Sequence, residues 1–258
     1  MKTLFLTSSP TGEYRSSKPA GFKGFNPANG MVSELKRVWK EDARCLLIAA
    51  FPEAFSGNDQ MRDYFEQVLL DTGLSIAGLE LCDDRNAGRI VPDLDDYDMI
   101  ILSGGHVPTE LAFFNRIGLP EKIRSFDGIV MGISAGSMNC SETVYAQPEM
   151  PGEGKDPAYR KFLPGLGLTK YNILPHYQAV KDDLVDGLRL MEEITFPDSV
   201  GHTFYAIPDG SYLLQHGFSD GARAQIRGQA YRVRDGKIRE ICRNDEAVEL
   251  GDSDQLRI

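Results

Sequence analysis

Gly132-Ile133-Ser134-Ala135-Gly136 sets a serine between glycines two residues away on either side, the G-x-S-x-G pattern of a nucleophile elbow. It follows the apolar run Gly128 to Ile133 and precedes a helix-compatible run, Ser137 to Thr143. That context puts Ser134 on a strained strand-to-helix turn, where small neighbours avoid clashes and the N–H of Ala135 can face a developing oxyanion. A second glycine loop, Ser103-Gly104-Gly105-His106, leaves another apolar run. Its glycines allow close backbone approach to a ligand and supply a second N–H. The plainer reading of either loop is a tight turn that starts a helix.

A serine nucleophile needs a base, and the chain has four histidines. His176 follows the apolar run Tyr171 to Leu174 and so stands at a strand end. His106, on the glycine loop, is its rival, while His202 and His216 fall in or beside a β-rich tail and read as surface or packing residues. The base needs an acid to hold its tautomer. Between Ser134 and His176 the candidates are Glu142, Glu149, Glu153 and Asp156, and the residues alone leave that choice open. Cys140 reads as a packed thiol.

These groups need elements to position them. Short apolar runs at Thr3 to Leu6, Cys45 to Phe51, Ser75 to Leu81, Met99 to Leu102 and Ile129 to Ile133 suit strands buried on both faces. Between them, Gln60 to Leu70 has apolar residues at helical spacing and ends at Gly73, and Val32 to Trp39 is also helical. The alternation predicts an α/β fold: a three-layer, doubly wound, mostly parallel sheet with helices on both faces. A helix is expected at Asp182 to Ile194. A C-terminal β-hairpin is expected from Ala230 to Val233 and Lys237 to Ile241, joined by Asp235-Gly236. Gln147 to Gly167 reads as a long functional or mobile connection. No internal break divides the 258 residues, so a single domain over 1–258 is expected.

The 28 basic residues against 38 acidic ones give a net charge of −10, which disfavours nucleic acid and anionic membranes as partners. The four cysteines form no C-x-x-C pair, and the N-terminal apolar stretch is too short for a signal peptide, so a reduced cytoplasmic location is expected. With no H-E-x-x-H, G-x-G-x-x-G or Walker motif, neither a metal site nor a nucleotide cofactor is expected. Self-association into a homo-oligomer is the general expectation.

The opening Met1 to Ser9, Ile100-Ile-Leu-Ser-Gly-Gly105, Gly132 to Gly136, Leu174-Pro-His-Tyr177 and Ile207-Pro-Asp-Gly210 together resemble the serine dipeptidase E and cyanophycinase family of peptidases, which has a class I glutamine amidotransferase-like fold. The resemblance implies a serine-type peptidase acting on small peptides through an acyl-enzyme. It places the nucleophile on Ser134, the base on His176, the acid on Glu149 and the oxyanion donors on Gly105 and Ala135, with Gly104 and His106 toward the substrate. Three stretches depart from the family pattern. His106 stands where an asparagine is usual, and no basic segment follows His176, Lys181 and Arg189 being the nearest cations. The connection from Glu13 to Ala43 is also longer than usual. The alternatives are a non-catalytic ligand- or partner-binding member of the fold, or an esterase or amidase on the same residues.

Overall fold

The five apolar runs become five parallel strands: β1 (Thr3–Thr7), β2 (Ala43–Ile48), β3 (Ile76–Cys82), β4 (Met99–Leu102) and β5 (Ile129–Ile133), in the order β3-β2-β4-β5-β1. The structure, a computed structural model, describes residues 2–12, 24–218 and 221–251. Beyond β1 the sheet continues with three antiparallel strands, Tyr212–His216, Arg223–Arg227 and Ala247–Leu250, to make eight among the described residues.

Period-two alternation sorts the strand side chains onto two faces. Leu4, Leu6, Leu46, Ile48, Ile100 and Val130 join one core cluster, and Phe5, Cys45, Leu47, Met99, Ile101 and Met131 join the other. Helices α1 (Met31–Val38) and α2 (Phe55–Asp71) cover the second face through Leu35, Phe65 and Leu69. Helices α3 (Ala87–Ile90), α4 (Val107–Arg116) and α5 (Leu119–Ile123) cover the first through Ile90, Phe113, Phe114 and Ile123. The inner strands are thereby sealed on both faces, which is why β4 is apolar throughout, whereas the edge strand β3 carries Glu80 and is only partly buried. Helix α6 (Ala135–Asn139) starts directly after Ser134.

A second sheet of four strands runs in the order Lys237–Cys242, Ala230–Arg234, Thr203–Ala206, Asn172–Leu174. The expected hairpin forms here, with Asp235 and Gly236 at φ of 48° and 74°. Thr203–Ala206 and Asn172–Leu174 pair in parallel, Ala206 opposite Leu174.

The helix expected at Asp182 to Ile194 does not form. Leu184–Val185 and Leu188–Arg189 make a two-strand hairpin, and Leu190–Thr195 makes a wide helical turn. Asp186 and Gly187 take φ of 55° and 80°, the left-handed pair that a tight hairpin demands, and this Asp-Gly signal overrides the helical spacing of the leucines. In the long connection, Phe162–Pro164 pairs with Thr143–Tyr145. Residues 13–23 of the long N-terminal connection lie outside the described residues. No helix among the described residues is long and apolar enough to cross a membrane.

Candidate active site

Parallel strands deliver their following loops to one edge, and here β1, β4 and β5 hand over Ser8, the Ser103–His106 loop and Ser134 at the carboxyl edge where α/β sites form. Ser134 has φ 52° and ψ −115°, a costly conformation for a residue with a Cβ and the mark of an elbow. Its N–H bonds to Thr7 O at 3.0 Å, and Ser137 Oγ donates to the same carbonyl at 2.7 Å, so β1 clamps the turn. A Cβ on Gly136 would lie well inside contact with Leu102 O and 2.8 Å from Ser103 O. Only glycine lets α6 pass so close to the end of β4.

Ser134 Oγ lies 2.9 Å from His176 Nε2. His176 is 7 % exposed, takes a left-handed conformation of φ 58°, ψ 29°, and faces Asp209 Oδ1 with Nδ1 at 2.8 Å. A carboxylate on Nδ1 fixes the proton there and leaves Nε2 as acceptor for the serine hydroxyl. The Asp209 side chain is 3 % exposed and is held on its far oxygen by Gln178 Nε2 at 2.7 Å. Gln178 Oε1 in turn accepts the Asp209 N–H at 3.0 Å.

The carboxylate on His176 is therefore that of Asp209, and Glu149, the residue placed there by the family resemblance, lies elsewhere. Glu149 stands in Pro148-Glu149-Met150-Pro151 on the pocket wall, partly in solvent, with the N–H of Val107 at the start of α4 near enough to favour its charged form. Partial burial raises its carboxyl above the usual range, with His106 acting against the shift. Glu153 turns to His106 Nε2 at 2.8 Å and to the N–H groups of Glu149 and Met150. Glu142 and Asp156 are exposed.

The sequence candidates for a carboxylate on His176 all lie between Ser134 and His176, whereas the residue that meets it can come from any point along a chain. A signal was present. Leu174-Pro175-His176 and Ile207-Pro208-Asp209 are two strand ends of the same form, and because the strands are parallel neighbours with Ala206 opposite Leu174, their proline-punctuated ends bring His176 and Asp209 side by side. Tyr177 N–H bonds to Ile207 O at 3.2 Å and ties the two ends together.

Ser8 also escaped notice. Fully buried, its Oγ accepts the His176 N–H at 2.7 Å, donates to Asp209 Oδ1 at 2.5 Å and lies 3.2 Å from His176 Nδ1.

His106, the rival base, makes its contacts to Thr109 Oγ1 at 2.7 Å and to Glu153, while Ser134 meets His176. Gly104, Gly105, His106 and Ala135 all line the pocket beside Ser134. The N–H of Ala135, first in α6, can have no intrahelical acceptor, and neither it nor that of Gly105 meets one elsewhere among the described residues. A Cβ on Gly105 would lie 2.6 Å from that of Ala50, so this loop too depends on glycine. Cys140 is fully buried with Sγ 3.2 Å from Gly136 O, and burial pushes its thiol well up: a packing residue. His202 is exposed and stacks on Phe162, and His216, also exposed, ends the antiparallel strand paired with β1.

A nucleophile elbow, an imidazole and a carboxylate at the carboxyl edge of a sealed parallel sheet define a hydrolase-like α/β protein. The chain belongs to peptidase family S51, whose model matches residues 22–219, and so to a family of peptidases. Its fold is similar to that of a peptidase from an acI-B1 Actinobacterium, at 18 % identity and TM-score 0.60, with 96 % of each chain covered. It is also similar to a peptidase E candidate from Listeria monocytogenes EGD-e, at 19 % identity and TM-score 0.52, covering 93 % of this chain and 98 % of that one. No curated protein matches the chain.

Proposed function

We propose that the protein is a serine peptidase that hydrolyses small peptides, with Ser134 as nucleophile, His176 as base and Asp209 as the acid that orients it. The observation that carries this reading is the relay of two contacts, 2.9 Å from Ser134 Oγ to His176 Nε2 and 2.8 Å from His176 Nδ1 to Asp209. Ser134 Oγ attacks the amide carbonyl as its proton passes to His176 Nε2, and the oxyanion faces the N–H groups of Gly105 and Ala135. The C–N bond breaks as His176 returns the proton to the leaving amine. Water, deprotonated by the same imidazole, then releases the acyl group and restores Ser134.

The adjoining pocket of about 660 Å³ matches a site for a small molecule or short peptide. The four cysteines are free and buried, in keeping with a reducing, cytoplasmic setting. A fluorophosphonate probe tests the nucleophile: it labels the wild type and not Ser134→Ala, and equal labelling of both overturns the reading.

A further inference from the structure

The two N–H groups assigned to the oxyanion stand at the heads of two helices, that of Ala135 first in α6 and that of Gly105 two residues ahead of Val107, the first residue of α4. Oxyanion stabilisation depends on where both donors sit, so the placement of α4 against α6 bears directly on the chemistry. A Cβ on Gly104 would lie 3.1 Å from that of Ser134, so the two loops run in contact. Val107 and Leu111 of α4 share a core cluster with Ala135 and Met138 of α6. Apolar contact of this kind is non-directional and does not by itself fix one helix against another.

Beside this apolar contact the chain buries an acid and an amide, Glu110 of α4 and Asn139 of α6, both with no exposure. Asn139 Nδ2 donates to Val107 O at 3.2 Å and to Glu110 Oε2 at 2.9 Å. Asn139 ends α6, one turn after Ala135, so a single side chain joins the two segments that carry the oxyanion donors. As packing, the pair is a poor choice. Asn139 Oδ1 and Glu110 Oε1 have no partner among the described residues, and a buried polar atom left unpaired costs stability that a pair of leucines would not. What the pair adds over leucine is direction, since hydrogen bonds of defined length and angle set the position of α6 against α4. The scale of that need is known in general: a misplacement of ~1 Å in a catalytic group costs about 10²-fold in rate.

We propose that Asn139, held by Glu110, is a positioning residue for the oxyanion hole and fixes the N–H groups of Gly105 and Ala135 relative to each other. The proposal rests on the serine peptidase reading above. Neither side chain lines the pocket, so both act through the backbone of α4 and α6.

Purified full-length wild type, Asn139→Leu, Asn139→Ala and Glu110→Gln are compared in the rate of fluorophosphonate labelling and in turnover of p-nitrophenyl acetate, both per folded molecule as judged by circular dichroism. The two Asn139 variants are expected to label about 10–100-fold more slowly, with kcat on the ester down by a similar factor and KM within about 3-fold. Glu110→Gln keeps an acceptor for Asn139 Nδ2 without the charge, and this conservative variant is expected to stay within about 3-fold of wild type in both assays. The downfield proton resonance of His176 Nδ1, which reports its contact with Asp209, is expected at its wild-type position in every variant, because base and acid stand on other segments. Labelling within about 3-fold of wild type in both Asn139 variants overturns the proposal. An equal loss in Glu110→Gln, or a shifted His176 resonance, also overturns it, since either would put the effect in general packing. Failure of both Asn139 variants to fold does the same, the amide then being a requirement of the fold. Wild type that does not label removes the serine peptidase reading and the proposal with it, whereas wild type that labels no faster than the Asn139 variants removes only the proposal.

Discussion

Asp209 Oδ1 lies 2.8 Å from His176 Nδ1 across a gap of 33 residues, because the two side chains follow neighbouring parallel strands that end in register. If this contact orients the base, Asp209→Asn leaves the geometry nearly intact and presents the wrong tautomer to Ser134, a change that costs about 10³–10⁴-fold in kcat in serine hydrolases. The loss from Asp209→Asn is expected to exceed that from Glu149→Gln by at least about 100-fold in the rate of fluorophosphonate labelling. The reverse ranking would return the acid's role to Glu149.

Ser8 is expected to act as a positioning residue, since it touches the base and the acid but no reacting atom. Ser8→Ala removes a donor to Asp209 and leaves the buried His176 N–H without an acceptor, each a loss of about 1–3 kcal/mol. Steady-state kinetics should show kcat down about 10–100-fold with KM within about 3-fold. A rise in KM at constant kcat would mean that Ser8 acts on substrate binding instead.

The parallel strands and the elbow were legible in the sequence because both rest on local necessity. Strands buried on two faces must be apolar throughout, as β4 is, and a serine at φ 52° needs small neighbours such as Gly132 and Gly136. The contact of His176 with Ser8, across 168 residues, was not legible, and that with Asp209, across 33, was signalled only by two matching proline-punctuated strand ends whose adjacency the assembled sheet supplies. The stretch from Asp182 to Ile194 failed for the opposite reason. Leu184, Leu188 and Met191 fit a helix by spacing, but Asp186-Gly187 commits the chain to a turn before a helix can propagate.

The turn at Ser134 depends on the close pass of Gly136 beneath the end of β4. Gly136→Ala drives a methyl into the carbonyls of Leu102 and Ser103, and overpacking against backbone costs about 1–3 kcal/mol or more. Urea unfolding is expected to show that loss together with a fall in labelling of Ser134. A variant as stable and as reactive as the wild type would show that α6 can shift without disturbing the elbow.

Glu110 is a buried acid that the proposed chemistry does not use. It is fully buried in α4, with Oε2 accepting from Asn139 Nδ2 of α6 at 2.9 Å, while Oε1 and Asn139 Oδ1 have no partner. Desolvation raises its carboxyl well above 4.5. A carboxyl whose pKa is higher in the folded than in the unfolded chain favours the fold fully at pH below the unfolded value, and that contribution disappears as pH rises through the folded value. Wild-type stability should therefore fall relative to Glu110→Gln as pH rises from about 4.5, with a limiting slope of about 1.4 kcal/mol per pH unit for one proton. Urea titrations of both proteins at a series of pH values measure that difference directly, since every other titrating group is common to the two. A difference independent of pH would mean that Glu110 keeps an ordinary pKa in the fold, and the two orphaned oxygens would then need another explanation.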